Sequence, residues 1–568
     1  MSINANSRFT IAPTIKTERS KFPMGQKIMT TFNAGELVPL FTMEILPGDT
    51  ISLTENLVCR MMTPLYPTMD IALLSTFAFY TPNRQLWDHW KEFMGENTTS
   101  PWYQSTQYVV PRITAPTGGI TKGTVASHLG LPLGVAGITY SALPFRNYCH
   151  IYNNFFRDQN LIAPINFYTD DTDRTGDNSL PELGGALLKI AKKHDYFTSA
   201  LPDTQKGPEI KMPLGISAPI YGNGKPLTFQ YTTNATTATN ALAGLGQTIA
   251  HNAGNPSITD IAIGDANKTN VIGDQAQGYT QFSNAHFNGI ITKDYSKLLL
   301  GDFDSGMYAD LQGATAASVS ALRLNVAIQR LEEKGARFGT RYFEILKGQF
   351  NVDHVGNLVM MIPEFLGAQE TPISMTQVNQ NVADSNAPLG NTGAYSLTSD
   401  FNNKLFTKSF TEHGWIMILG AVRQAYHSYQ KGINRMWSRR DLYDFYNPVF
   451  AHLSEQPIYN KEIYATATAT DDQVFGYQER WAEYRYLPNI ITDEVNSYYT
   501  TPLDQWHYGD KYGSLPTLSQ TFIEETDAYI KRSLAVQNHD QFILDGYIQI
   551  VAQRCMPTYS VPGWTDHF

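Results

Sequence analysis

Two runs of carboxylates, Asp170-Asp171-Thr172-Asp173 and Glu524-Glu525-Thr526-Asp527, are the residues of this chain best suited by type and spacing to acid–base work. A pair of acids flanking a sugar can hydrolyse a glycoside, but one of them must be kept protonated by apolar surroundings. The neighbours of both runs are polar, so the expectation is solvated loop surface. His413 and His427 lie fourteen residues apart with no third ligand in register. A lone histidine is more often a hydrogen-bonded structural residue than a metal ligand, and both are read so. Gly222-Asn-Gly-Lys225 has the wrong spacing for a phosphate loop and runs directly into Pro226. Cys59, Cys149 and Cys555 are odd in number, far apart and without a CxxC pair, which argues against a disulfide framework and a zinc site. No nucleophile elbow, zinc-protease motif or dinucleotide fingerprint occurs. The sequence therefore points away from an enzyme, and no cofactor or metal is expected.

The elements that would carry these residues belong to a chain of 568 residues with unusual surface chemistry. Only 17% of its residues are charged, against about a quarter in ordinary soluble domains. Aromatics reach 12%, with 32 Tyr and 29 Phe. Interface cores are depleted in charge and enriched in aromatics, so this composition suits an assembling subunit. It equally suits a secreted glycan-binding or glycan-cleaving protein. That rival needs a signal peptide, and the first thirty residues hold no apolar core of that kind. The longest apolar run, residues 415–422, is too short to span a bilayer, so no membrane insertion is expected. The net charge of −10 excludes a surface that is basic all over, as coating nucleic acid alone would require.

Along the chain, residues 1–27 read as a polar arm in which Arg8, Lys16, Arg19, Lys21 and Lys27 outnumber the single acid Glu18. Residues 29–80 read as short strands punctuated by Gly35, Pro64 and a Pro47-Gly48-Asp49 turn. Within them Ile71, Leu73, Ser75, Phe77 and Phe79 form one mostly apolar strand face. Leu86, Trp90, Phe93 and Met94 recur at helical spacing, predicting a short helix over 85–94 with those side chains in the core. A second short helix is predicted over 144–159 and a longer one over 318–334, with Leu324, Ala327, Ile328 and Leu331 on one face and Gly335 as its stop. Further strands are predicted over 342–350, 358–362, 415–422, 474–486 and 542–551. From 222 to 291 the only charged residues are Lys225, Asp260, Asp265, Lys268 and Asp274. So long an uncharged stretch is neither ordinary loop nor charge-rich disorder, and it reads as a protruding subdomain of Thr-rich strands. Strands early and late, with helices and long excursions between, predict a mainly β antiparallel sandwich.

Several runs go beyond generic pattern. They include Leu46-Pro-Gly-Asp-Thr50, Thr63-Pro-Leu-Tyr-Pro-Thr-Met-Asp70, Ser141-Ala-Leu-Pro-Phe-Arg146 and Phe156-Arg-Asp-Gln-Asn160. In the carboxy half come Arg435-Met-Trp-Ser-Arg-Arg440, Phe475-Gly-Tyr-Gln-Glu-Arg480 and Tyr559-Ser-Val-Pro-Gly563. In this order, over nearly the whole chain except 222–291, they resemble the major capsid proteins of gokushoviruses, the branch of the Microviridae with single-stranded DNA genomes.

The resemblance implies a viral jelly roll, an eight-stranded antiparallel sandwich or barrel with long loop insertions and several short helices. Its first part would span 28–221 and its second 292–568, with 222–291 a surface protrusion at the shell's threefold axes. It further implies a sixty-copy shell around single-stranded DNA, assembled in the host bacterial cytoplasm and residing in the virion. The other partners implied are an internal scaffolding protein, a small basic DNA-binding protein and a host surface receptor. In such a shell the arm residues Arg8, Lys16, Arg19, Lys21 and Lys27 would face DNA. Arg435, Trp437, Arg439 and Arg440 would serve a subunit interface or DNA, and Ala238, Leu242, Leu245, Ile249 and Asn252 would form the attachment tip.

Overall fold

The structure is a computed structural model that describes residues 19–97, 106–208, 319–338, 341–350, 361–379, 392–451 and 453–559, with residue 210 and short strands between 220 and 309. Nine strands build its centre: β1 (Ser20–Phe32), β2 (Val38–Ile45), β3 (Thr50–Met61), β4 (Ala72–Pro82), β5 (Glu364–Pro372), β6 (Ser374–Asn379), β7 (Thr392–Ser409), β8 (Gly414–Gln424) and β9 (Phe542–Arg554). They form two antiparallel sheets, ordered β1-β9-β3-β7-β6 and β5-β4-β8-β2. The first strand thus pairs beside the last, while β2 pairs with β8 in the opposite sheet. Successive strands β1 to β4 alternate between sheets, the winding a rolled-up sandwich requires. The fold is mainly β, as the sequence predicts.

Period-two patterning explains the sheet faces. In β3, Ile51, Leu53, Leu57, Cys59 and Met61 are buried, whereas Ser52, Thr54, Asn56 and Arg60 alternate outward. β9 does the same with Phe542, Leu544, Ile548, Ile550 and Ala552 inward. Between β2 and β3 the turn at Pro47-Gly48-Asp49 needs a left-handed residue, and Gly48 supplies it at φ +86°. Asp49 also does more than turn: its buried carboxylate accepts from the Leu46 N–H at 3.1 Å and lies 3.2 Å from Arg554 on β9.

β8 lacks alternation because both its faces are covered. Ile416, Ile418 and Val422 enter the core between the sheets, and Met417, Leu419 and Ala421 enter a second core beneath helix α1 (Leu143–Ile151). α1 continues into a π-turn over Tyr152–Phe156, so the helix predicted over 144–159 is present. The apolar face read on β4 packs in this second layer through Phe77 and Phe79, although Ile71 precedes the strand and is exposed. Tyr148 ties the layers together, donating to Leu37 O at 2.8 Å and accepting from the Leu188 N–H at 2.9 Å.

Several predicted elements change on folding. Residues 342–350 are not a strand but helix α3 (Tyr342–Phe350). Glu344 accepts from the Arg341 N–H at 3.0 Å, satisfying a donor at the helix start that a strand reading overlooks. Helix α2 (Val319–Phe338) runs through Gly335, which costs about 1 kcal/mol relative to Ala but does not end it. Of 358–362 the described part is not strand; β5 starts at Glu364. The run at 474–486 is strand only over Val474–Gln478, because Trp481 takes a left-handed φ of 67° and turns the chain. The helix predicted over 85–94 shrinks to Trp90–Phe93, and the core residues there are Leu86 and Trp87, while Phe93 and Met94 are exposed.

Contacts divide the chain into two compact units, residues 1–207 with 332–568, and residues 208–331. The second contains the uncharged stretch. Its described strands pair with one another, Ile220–Gly222 with Met307–Ala309 and Ala262–Asp265 with Lys268–Val271 among them.

Candidate subunit interface

The long excursion from 425 to 541, between β8 and β9, packs Tyr429, Ile458, Phe475 and Phe522 against Tyr196 and Phe197 in a small separate core. A buried ionic cluster fixes it in place. Lys192 Nζ lies 3.2 Å from Asp510 Oδ1, His427 Nδ1 lies 3.1 Å from Asp510 Oδ2, and His427 Nε2 lies 3.3 Å from Glu525 Oε2. All four residues are buried. Burial opposes charge on His427, but Asp510 and Glu525 outweigh it and raise its pKa to about 10. Burial likewise opposes charge on Asp510, yet Lys192 and His427 hold it well below the usual carboxylate range. His427 is thus a hydrogen-bonded structural residue, and a charged one. Glu525 corrects the reading of its acidic run as solvated loop: a protonated imidazole beside it lets a carboxylate be buried. The run at 170–173 does lie at the surface, where Asp170 pairs with Arg174 at 2.6 Å and Asp171 accepts from the Trp87 indole at 2.5 Å.

A second set of ion pairs anchors the segment around Arg435. Its guanidinium donates to Pro457 O at 2.8 Å and lies 3.4 Å from Glu462, itself buried. Arg439 lies 3.5 Å from Glu483, with its guanidinium 4.0 Å above the Tyr484 ring. Both arginines are therefore engaged with acids and rings of their own chain, while Arg440 and Trp437 are exposed. Anchored this way, the excursion presents Trp437, Leu442, Tyr443, Val449, Leu487 and Ile490 to solvent, each at least two-thirds exposed. Beside them opens a cavity of about 650 Å³ floored by Tyr196, Phe197 and Tyr429 and lined also by Trp437 and Ile490. Large exposed apolar patches mark sites where another macromolecule binds. Sequence reading found Trp437 but missed the rest; the aromatic run Leu442-Tyr-Asp-Phe-Tyr446 was the available signal.

The remaining predicted residues scatter. Arg8 and Lys16 lie outside the described residues. Arg19 hydrogen-bonds to Gly48 O. Lys21 and Lys27 are not in a free arm, because β1 begins at Ser20 and carries both on its outward face. Lys27 lies 3.5 Å from Asp545. Of the tip residues, Leu242 falls in the short strand Ala241–Leu242, and Ala238, Leu245, Ile249 and Asn252 lie outside the described residues.

Comparison with known proteins gives this geometry its context. The family profile described as capsid protein (F protein) matches residues 10–564. The capsid protein VP1 of Bdellovibrio phage phiMH2K is 38% identical, covering 99% of this chain and 98% of its own length. That of Chlamydia phage 1 is 36% identical over 98% and 97%, and that of Spiroplasma virus 4 is 34% identical over 96% and 95%.

Proposed function

This chain belongs to the phage capsid protein (F protein) family, a family of structural proteins rather than enzymes, and from that premise we propose how it builds a shell. Sixty copies enclose single-stranded DNA, and the excursion around 433–453 and 484–503 provides one side of the contact between copies. The observation carrying this reading is that Leu442, Val449, Leu487 and Ile490 are all exposed on an excursion that also carries the partly buried Arg435–Glu462 and Arg439–Glu483 pairs, a costly arrangement unless a neighbour covers them. Shell contacts of this class bury on the order of 2,000–5,000 Å². Apolar surface at roughly 25 cal/mol per Å² supplies the drive. The joint substitution Leu442→Asp and Val449→Asp should leave the subunit's melting temperature unchanged while abolishing fast-sedimenting particles. Wild-type particle yield from that variant would sink the interface assignment.

The net charge of −10 supports further partners, since phosphate needs cations this chain does not supply in bulk. A small basic DNA-binding protein would fill that role, and an internal scaffolding protein would guide closure before the genome enters. Assembly in the host cytoplasm suits three cysteines that remain thiols. The uncharged stretch 222–291 meets the host receptor. Deleting 238–256 should preserve particles and lower their adsorption to host cells; normal adsorption would remove that role.

A further inference from the structure

We infer that the outward face of the first sheet is a platform for single-stranded nucleic acid, with the Tyr547 ring as its stacking surface. The inference rests on the shell reading, which puts a genome against one face of each subunit. Tyr547 projects outward from β9 opposite Lys27 of β1 and Asn56 of β3. It is 47% exposed, the largest aromatic surface on this face among the described residues. Its ring leans across β1 over Gly25: a Cβ at position 25 would lie 2.0 Å from the phenol oxygen and 2.4 Å from Cζ. Glycine there lets the ring lie across the neighbouring strand, leaving its other side open.

The chemistry around the ring fits the same partner. The outward positions on β1, β9, β3 and β7 carry four cations, Lys21, Lys27, Arg60 and Lys404, against two acids, Asp545 and Asp400, among the described residues. Asp545 meets Lys27 only at 3.5 Å with both side chains about half exposed or more, a pairing that water weakens. Between these charges lie Ser52, Thr54, Asn56 and Gln549, neutral side chains that can donate and accept hydrogen bonds. A locally cationic sheet face on a chain of net charge −10 selects for a polyanion. An exposed ring among cations adds sequence-tolerant base stacking, the combination by which proteins hold single strands. Aromatic cover of a glycine also stabilises an edge strand by itself, so the test must separate cover from stacking.

Tyr547→Leu keeps an apolar cover on Gly25 but removes the π-face, and Tyr547→Phe keeps both. Binding of a fluorescent oligothymidylate to purified subunits at low salt should weaken roughly ten-fold in Tyr547→Leu and stay near wild type in Tyr547→Phe. Irradiated wild-type particles should yield a nucleotide adduct on the peptide containing Tyr547. Equal oligonucleotide binding by both variants, or adducts confined to other peptides, would overturn the inference. If Tyr547→Leu subunits bind the oligonucleotide normally but form no particles, the face is a contact between copies, which overturns it too. Failure of the wild-type chain to form particles at all would instead count against the shell reading.

Discussion

Glu55 on β3 points into the core between the sheets, where one oxygen accepts from Thr76 Oγ1 at 3.1 Å and the other has no partner among the described residues. Burial raises its pKa from 4.5 to about 7, with the Thr76 hydrogen bond opposing only in part. The folded state therefore prefers the neutral acid. Its contribution is complete below pH 4.5 and is lost as pH rises through about 7. Glu55→Gln should flatten the melting-temperature profile across that window and raise stability at pH 8 by up to about 3 kcal/mol. An unchanged profile would show that Glu55 ionises freely in the fold. His427 acts in the same direction: stability it contributes below pH 6.5 is lost as pH rises through about 10. Asp510 acts at the other end, contributing above pH 3.8 and failing only as pH falls below that. The contributions of these three groups are complete together only between pH 3.8 and 4.5, and above that the Glu55 contribution is the first to fall.

At the scale of elements, β3, β8 and β9 were legible in the sequence because alternation, or its loss under two-sided cover, follows directly from burial, whereas the polar residues 20–27 that open β1 read as part of an arm. Helix α3 was not, because nine residues with mixed aromatic and aliphatic side chains satisfy either period, and the deciding contact, Arg341 with Glu344, is local chemistry rather than pattern. Nor was the Lys192, His427, Asp510, Glu525 cluster, whose members lie up to 333 positions apart between Lys192 and Glu525. Only the fold brings them together. α1 was legible, and its docking can be tested through Tyr148, which is fully buried with both hydrogen bonds made. Tyr148→Phe strands the Leu37 carbonyl and the Leu188 N–H without partners, and should destabilise the subunit by about 2–4 kcal/mol in chemical denaturation. A loss within experimental error would mean water takes over both groups.

For the whole molecule, sparse charge was the sequence's clearest statement, and the exposed apolar excursion is its structural counterpart. What composition could not locate was which surface carries it, because composition does not say which apolar residues, such as Leu442 and Leu487, the fold leaves exposed. The two proposed surfaces differ in physics, which separates them in one experiment. Raising salt from about 0.1 M to about 1 M shortens the screening length from roughly 10 Å to 3 Å. Shell contacts made by apolar burial should survive this, whereas oligonucleotide binding by free subunits should fall steeply. Particles that dissociate at high salt would place the assembly energy in charge pairs instead.

The strand order has a consequence for how the subunit is made. β9 lies between β1 and β3, so the first sheet stays split until residues 542–554 have been synthesised and have left the ribosome. Throughout translation β1 lacks the neighbour it pairs with, and the nascent chain cannot present a finished wall. A chain cut short of residue 542 therefore lacks the strand that joins β1 to β3, and its first sheet has no continuous ladder.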